Sequence, residues 1–280
     1  MAIRLGKVDY LNCLPVYYAL EEGRLPFSGA IKKGPPTRLN SMFLSGELDV
    51  TPISSIEYAR NSKDCVILPG VSISADGRVE SILFFSRGPV TGLEGKRVAV
   101  TTSSATSVAL LKILMEHYFK VKVEFVTHEP DLEKMMKNAD GALLIGDDAM
   151  ISKRMVLQEG LGFEVTDLGV AWKELTGKKM VYAVWVAKRK FALEHPEELD
   201  HLNRLLRTSL EMGMSDPEAL IRKAGPKTGL PRDVLEDYFQ TIRYGFDESY
   251  RQALSLYYDY AYKDGLISEP AGLNVWGGER

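Results

Sequence analysis

One succession of elements is written twice along this chain: strand, polar turn, helix, strand, helix, strand, polar turn, helix. In the first series, IRLGKVDY alternates as a strand and LNCLPVYYALEEG follows as a turn and helix with Pro15 near the first helical turn. Gly29 to Lys33 reads as a strand, Pro36 to Ser45 as a helix, Leu48 to Thr51 as a strand, and Ser54 or Ser55 caps the next helix. The second series runs from Arg97 to Val100 (strand) to a helix ending near Tyr118, then Lys122 to Val126 (strand) and Asp131 to Lys137 (helix). It closes with a strand over Ala142 to Ile145, a polar turn at Gly146–Asp147–Asp148, and a helix over Ala149 to Gln158. Alternation of this kind predicts an α/β chain with two lobes, although the two series share little residue identity.

The remaining segments set the expected lobe boundaries. Cys65 to Ile73 and Val79 to Phe85 read as strands separated by a turn at Asp76–Gly77. Phe163 to Asp167 is a short strand, Leu168 to Thr176 a helix, and Met180 to Ala187 a strong strand. Pro196 to Lys263 carries helical periodicity with breaks expected at Asp216–Pro217, Gly225–Pro226 and Gly245. If these helices fold back onto the first series, residues 1–86 and 188–280 make one discontinuous lobe and residues 87–187 an inserted second lobe. The expected crossings are ILFFSRGP and VYAVWVAKR.

A net charge of -3 gives no electrostatic reason to expect a nucleic-acid partner. No stretch has the length and apolarity of a membrane span, and the first ten residues lack a basic segment followed by an apolar run. Two cysteines, Cys13 and Cys65, stand in contexts without metal-ligand spacing, which fits a reducing, cytoplasmic setting. No metal-ligand cluster or phosphate-binding Gly-rich loop appears in the sequence.

The chemistry collects at the turns. Thr101, Thr102, Ser103, Ser104, Thr106 and Ser107 put six hydroxyls into seven positions at the start of a helix, where free N–H groups and the helix dipole favour an anion. A single helix cap needs only one of them. In open α/β sheets ligands bind beyond the carboxyl ends of the strands, so the turns holding Asn12, Ser54 with Ser55, Ser103 to Ser107, and Gly146 with Asp147 should face each other across a polar cleft. Such a cleft suits a small anion such as a dicarboxylate. General acid–base candidates are weak. His117, His128, His195 and His201 sit in helical or surface contexts, Asp147 and Asp148 are explained by capping, and Cys13 has no evident partner. Tyr17, Tyr18 and Trp172 stand among apolar neighbours, as core residues do.

VDYLNCLPVYYAL, GELDVTPISSIEYA, TTSSATSVALLKIL, NADGALLIGDDAM and DLGVAWKELTGKKMVYAVWVAKR together resemble the chorismate dehydratases of the futalosine route to menaquinone. The resemblance implies a two-lobed type II periplasmic-binding-protein-like fold and conversion of chorismate to 3-[(1-carboxyvinyl)oxy]benzoate and water without a cofactor. It also implies roles: Asn12 matches the family's active-site asparagine. Ser81, Thr102, Ser103, Ser104, Thr106 and Ser107 become the expected carboxylate ligands, with Ser54, Ser55, Gly146 and Asp147 beside them. Two alternatives stand next to this reading. One is the related dihydroxynaphthoate synthase of the same pathway, whose family resembles SPCPNDTF at the first turn and carries a histidine at the position of Gly146. The other is a small-anion binding protein that leaves its ligand unchanged.

Overall fold

The computed structural model describes residues 2–277. Its strands are β1 (Arg4–Val8), β2 (Ala30–Gly34), β3 (Val50–Ser54), β4 (Cys65–Ala75), β5 (Ile82–Ser86), β6 (Arg97–Thr101), β7 (Glu124–His128), β8 (Gly141–Ile145), β9 (Glu164–Asp167) and β10 (Met180–Lys188). They form two five-stranded sheets of matching design, ordered β2-β1-β3-β10-β4 and β7-β6-β8-β5-β9. Three neighbouring strands in each are parallel, and one antiparallel strand, β10 or β5, links them to the fourth. Each sheet with its helices is one lobe of a periplasmic-binding-protein-like α/β fold.

The helices are α1 (Leu14–Glu21), α2 (Pro36–Leu44), α3 (Ser55–Arg60), α4 (Ala105–Leu114), α5 (Leu132–Asn138), α6 (Gly146–Glu159), α7 (Leu168–Thr176), α8 (Arg189–Glu194), α9 (Pro196–Met214), α10 (Pro217–Thr228), α11 (Arg232–Thr241) and α12 (Glu248–Lys263). Local chemistry sets many of these bounds. Asp167 caps α7 by accepting from the Gly169 and Val170 amides, and Gly177 ends the helix at φ +68 with its N–H on the Lys173 carbonyl. The C-terminal helices do return to the first lobe: α9 packs along α1 and β4. α12 lies on β10 and also reaches α3 and α4, so it touches both lobes.

Several local expectations change. The apolar runs expected as crossings are themselves strands: β5 lies in the second sheet and β10 in the first. The chain passes between sheets through residues 76–81 and 177–179 instead, because β-branched and aromatic runs are held in ladders while the Asp76–Gly77 and Gly177–Lys179 stretches are free to bend. Pro52 lies inside β3, tolerated because the β1 pairing is confined to Leu5 and Val50. Gly225–Pro226 does not break α10; Pro226 falls in the final turn, and the Gly229 N–H closes that turn on the Gly225 carbonyl. α6 starts at Gly146 with no intervening turn, Gly146 making the corner at φ +63.

Candidate active site

The carboxyl ends of β1, β3, β6 and β8 face one another between the lobes and enclose a cavity of about 80 Å³. Its walls are largely apolar, including Val8, Ile53, Ile73, Ile82 and Ile145, and its polar groups are Asn12, Ser54, Ser81, Ser103, Ser104, Ser107 and the hydroxyls of Tyr10 and Tyr182. Among the described residues, no side chain that is charged at neutral pH lines it. Three of the polar atoms are buried without a hydrogen-bond partner: Asn12 Oδ1, Ser54 Oγ and Tyr182 Oη. A buried unpaired group costs about 1–3 kcal/mol, so three in one cavity mark a place shaped for something that pairs with them.

Helix capping differs between the helices, and α8, α9 and α11, away from the cavity, begin without a side-chain cap. α5, α7, α10 and α12 are each capped by an aspartate, at Asp131, Asp167, Asp216 and Asp247. At the cavity, α1, α3 and α6 begin without any side-chain cap, and α4 is capped by the neutral hydroxyl of Ser104, which accepts from the Ser107 amide. A carboxylate cap would repel an anion and occupy the amides that bind it. Some of those amides are already paired, Ile56 with Thr106 Oγ1, Ser107 with Ser104 Oγ and Gly146 with the Ser81 carbonyl.

The sequence candidates divide by what they touch. Asn12, Ser54, Ser81, Ser103, Ser104, Ser107 and Gly146 line the cavity. Ser81 Oγ accepts from the Tyr238 hydroxyl at 3.2 Å. Thr102 lines an outer groove of about 760 Å³ that shares Pro36, Ser54, Ser103 and Ser104 with the cavity and forms its mouth. Ser55, Thr106 and Asp147 lie outside the cavity lining, with side chains committed elsewhere. Ser55 Oγ donates to the Val181 carbonyl at 2.7 Å. Thr106 Oγ1 accepts from the Ile56 amide of the other lobe at 2.9 Å, while its carbonyl accepts from Tyr257. Asp147 Oδ1 accepts from the Leu11 amide at 2.9 Å, and Oδ2 lies 3.4 Å from Lys227. Thr106 and Asp147 therefore fasten one lobe to the other.

Tyr10 and Tyr182 were not among the sequence candidates. Tyr10 shares the Asn12 turn, and its ring packs so closely over Gly146 that a Cβ there would lie 3.1 Å from it. Tyr182 belongs to a strand whose apolar run gave no sign of a functional side chain. Burial pushes the Cys13 thiol up to about 12, against a smaller opposing pull from Lys7, so it stands at the cavity as a neutral group and not as a nucleophile. The Asp147 carboxyl is also raised by burial, with the Leu11 amide and Lys227 acting in the opposite direction. Tyr17, Tyr18 and Trp172 are fully buried in the core, and His117 pairs with Asp264 at 2.8 Å at the C-terminal end of α12.

The model for a family described as menaquinone biosynthesis matches residues 3–263. A chorismate dehydratase of Thermus thermophilus is 31% identical over 264 residues, covering 90% of this chain and 93% of that protein. A 1,4-dihydroxy-6-naphtoate synthase of the same organism is 29% identical over 224 residues, covering 72% of this chain and 78% of its own length. Among solved structures, the periplasmic aliphatic sulphonate binding protein SsuA of Escherichia coli superposes with a TM-score of 0.71 at 17% identity, covering 100% of this chain and 93% of that one, a likeness of fold. The two sheets, the cleft between them and the match along nearly the whole sequence agree, and the chain belongs to the menaquinone biosynthesis family.

Proposed function

We propose that this protein is a chorismate dehydratase, a hydro-lyase acting in the cytoplasm that converts chorismate to 3-[(1-carboxyvinyl)oxy]benzoate and water. The observation that carries the reading is the set of unpaired polar atoms, led by Asn12 Oδ1 and Ser54 Oγ, in a cavity without a charged side chain. The ring proton beside the ether oxygen is acidified through the diene by the ring carboxylate, so its removal leaves an extended enolate. The substrate's own enolpyruvyl carboxylate takes that proton. The electron pair of the broken C–H bond then expels the neighbouring hydroxyl, which takes the proton back from the enolpyruvyl carboxyl and leaves as water while the ring becomes aromatic.

This chemistry asks the protein to position and to stabilise more than to supply a strong base. Ser103, Ser104 and Ser107 at the start of α4 suit the carboxylates, and neutral donors leave a carboxylate more basic than an arginine would. Asn12 hydrogen-bonds the reacting ring. The cavity is well below the roughly 300–1,000 Å³ of small-molecule sites, so the lobes part for entry and close again around the substrate. Against the synthase reading, a side chain at Gly146 would press on Tyr10 and strain a backbone at φ +63.

The test is incubation of the purified protein with chorismate, following the diene absorbance and the product mass. A product lighter by one water that keeps the enolpyruvyl ether supports the dehydratase. Chorismate that survives but protects against thermal unfolding identifies a binding protein, and chorismate that neither reacts nor protects overturns the substrate assignment.

A further inference from the structure

Tyr182 carries an inference that rests on the dehydratase reading and goes beyond it. Its side chain is only 5% exposed, it lines the cavity, and its hydroxyl has no partner. The backbone explains how it comes to point there. β10 pairs with β4 through Val181 with Ser74 and through Ala183 with Ile73, leaving Tyr182 as the unmatched residue of a register slip. Bulges of this kind bend a strand locally and re-aim a side chain.

Charge decides which part of a substrate can meet this hydroxyl. A Cβ at Gly169 would lie 2.9 Å from Tyr182 Oη and 3.1 Å from Asp167 Oδ1, so the phenol and the carboxylate flank the same small space. Asp167 is filled by the amides of Val79, Glu80, Gly169 and Val170 and is not offered to a ligand. Its negative charge nevertheless makes the Tyr182 end of the cavity unfavourable for an anion. The carboxylates belong at the hydroxyl-rich start of α4, away from Asp167, and a neutral oxygen belongs at Tyr182.

We infer that the Tyr182 hydroxyl donates a hydrogen bond to the ring hydroxyl that departs as water, fixing its orientation while the C–O bond breaks. The phenol keeps its own proton throughout. The product has lost that oxygen, so Tyr182 distinguishes substrate from product.

Tyr182→Phe removes one unpartnered oxygen, and the folded state should survive it with an unchanged or slightly higher Tm. Expected for chorismate is a kcat lower by about 10- to 100-fold with KM within about threefold. The inhibition constant of 3-[(1-carboxyvinyl)oxy]benzoate should stay within about twofold, because that ligand has no oxygen for Tyr182 to hold. An unchanged kcat overturns the inference, and so does a product affinity that weakens in step with kcat, the mark of a general distortion of the cavity. Failure of the wild-type protein to convert chorismate overturns the dehydratase reading and this inference together, whereas conversion by the wild type with equal kcat in the variant overturns the inference alone.

Discussion

Replacing Asp147 by alanine tests whether the lobes are held shut by the protein's own contacts. In the closed form Asp147 Oδ1 accepts from the Leu11 amide at 2.9 Å in a buried setting. Its other oxygen lies 3.4 Å from Lys227, whose side chain is 37% exposed. A hydrogen bond to a charged acceptor is worth about 1.5–3 kcal/mol when its loss leaves a buried amide unpaired. The partly solvated ion pair adds less than about 1 kcal/mol. When the lobes part, water satisfies the Leu11 amide, so nearly all of this energy belongs to closure. Asp147→Ala should therefore shift the open–closed equilibrium toward open by about 10- to 150-fold from the hydrogen bond alone, taking 1.4 kcal/mol per factor of ten. Small-angle scattering should give a larger radius of gyration, and titration calorimetry with 3-[(1-carboxyvinyl)oxy]benzoate should give weaker binding. Asp147→Asn keeps an oxygen for the amide but loses the ion pair and the charge on the acceptor, so its effect should be clearly smaller than that of Asp147→Ala. Equal loss in both variants would refute the hydrogen-bond argument and assign the tie to Lys227; no change in either would refute the role of Asp147 in closure.

Asn12→Ala should reduce chorismate turnover by about 10²-fold or more, measured as kcat/KM, without lowering Tm, because the oxygen removed is buried and unpaired. Gly146→Ala forces a side chain into a left-handed backbone at φ +63 and against the Tyr10 ring; it should cost about 1–2 kcal/mol and lower Tm by about 2–8 °C in a thermal scan. Asp148 is half-buried, and burial holds its carboxyl above the ordinary value of 3.8. The native state therefore binds this proton more tightly than the unfolded chain. Stability falls as pH rises from 3.8 through the native value and stays lower above it. Asp148→Asn should accordingly raise Tm more at pH 7 than at pH 3.5, and an equal gain at both values would exclude burial of this carboxyl as the cause.

Legibility in the sequence followed the range of the interactions involved. α7 was readable at both ends because Asp167 and Gly177 act within a few residues of the helix they bound. The strand–turn–helix order placed most of the polar turns at the cleft, since chain direction alone sends the carboxyl ends of parallel strands to one side. What those hydroxyls do was less readable. Of the six near α4, Thr101 accepts from the Ser103 amide, Ser104 caps the helix and Thr106 holds the other lobe, so half serve the local architecture. Asp147 had the composition of a helix cap and instead binds Leu11, 136 positions away in sequence. The aim of Tyr182 depends on where β10 slips against β4, a property of two strands that lie about a hundred residues apart in the chain. The chemistry of the Asp76–Gly77 turn does not reveal that its two flanking strands enter different sheets.

The placement of β10 has a consequence for biosynthesis of the chain on the ribosome. β3 and β4 are close in sequence yet never pair with each other; β10 fills the gap between them after the whole second sheet has been traversed. During translation the first sheet must wait with two open strand edges while more than a hundred further residues emerge. Long-range closure of this sort is slow, and unpaired edges invite other chains. The second sheet has no such delay, because β5 precedes its neighbours and β6 to β9 follow in one uninterrupted stretch. The inserted lobe is thus free to finish first and serve as the template on which β10, and then α9 and α12, bring the outer lobe together.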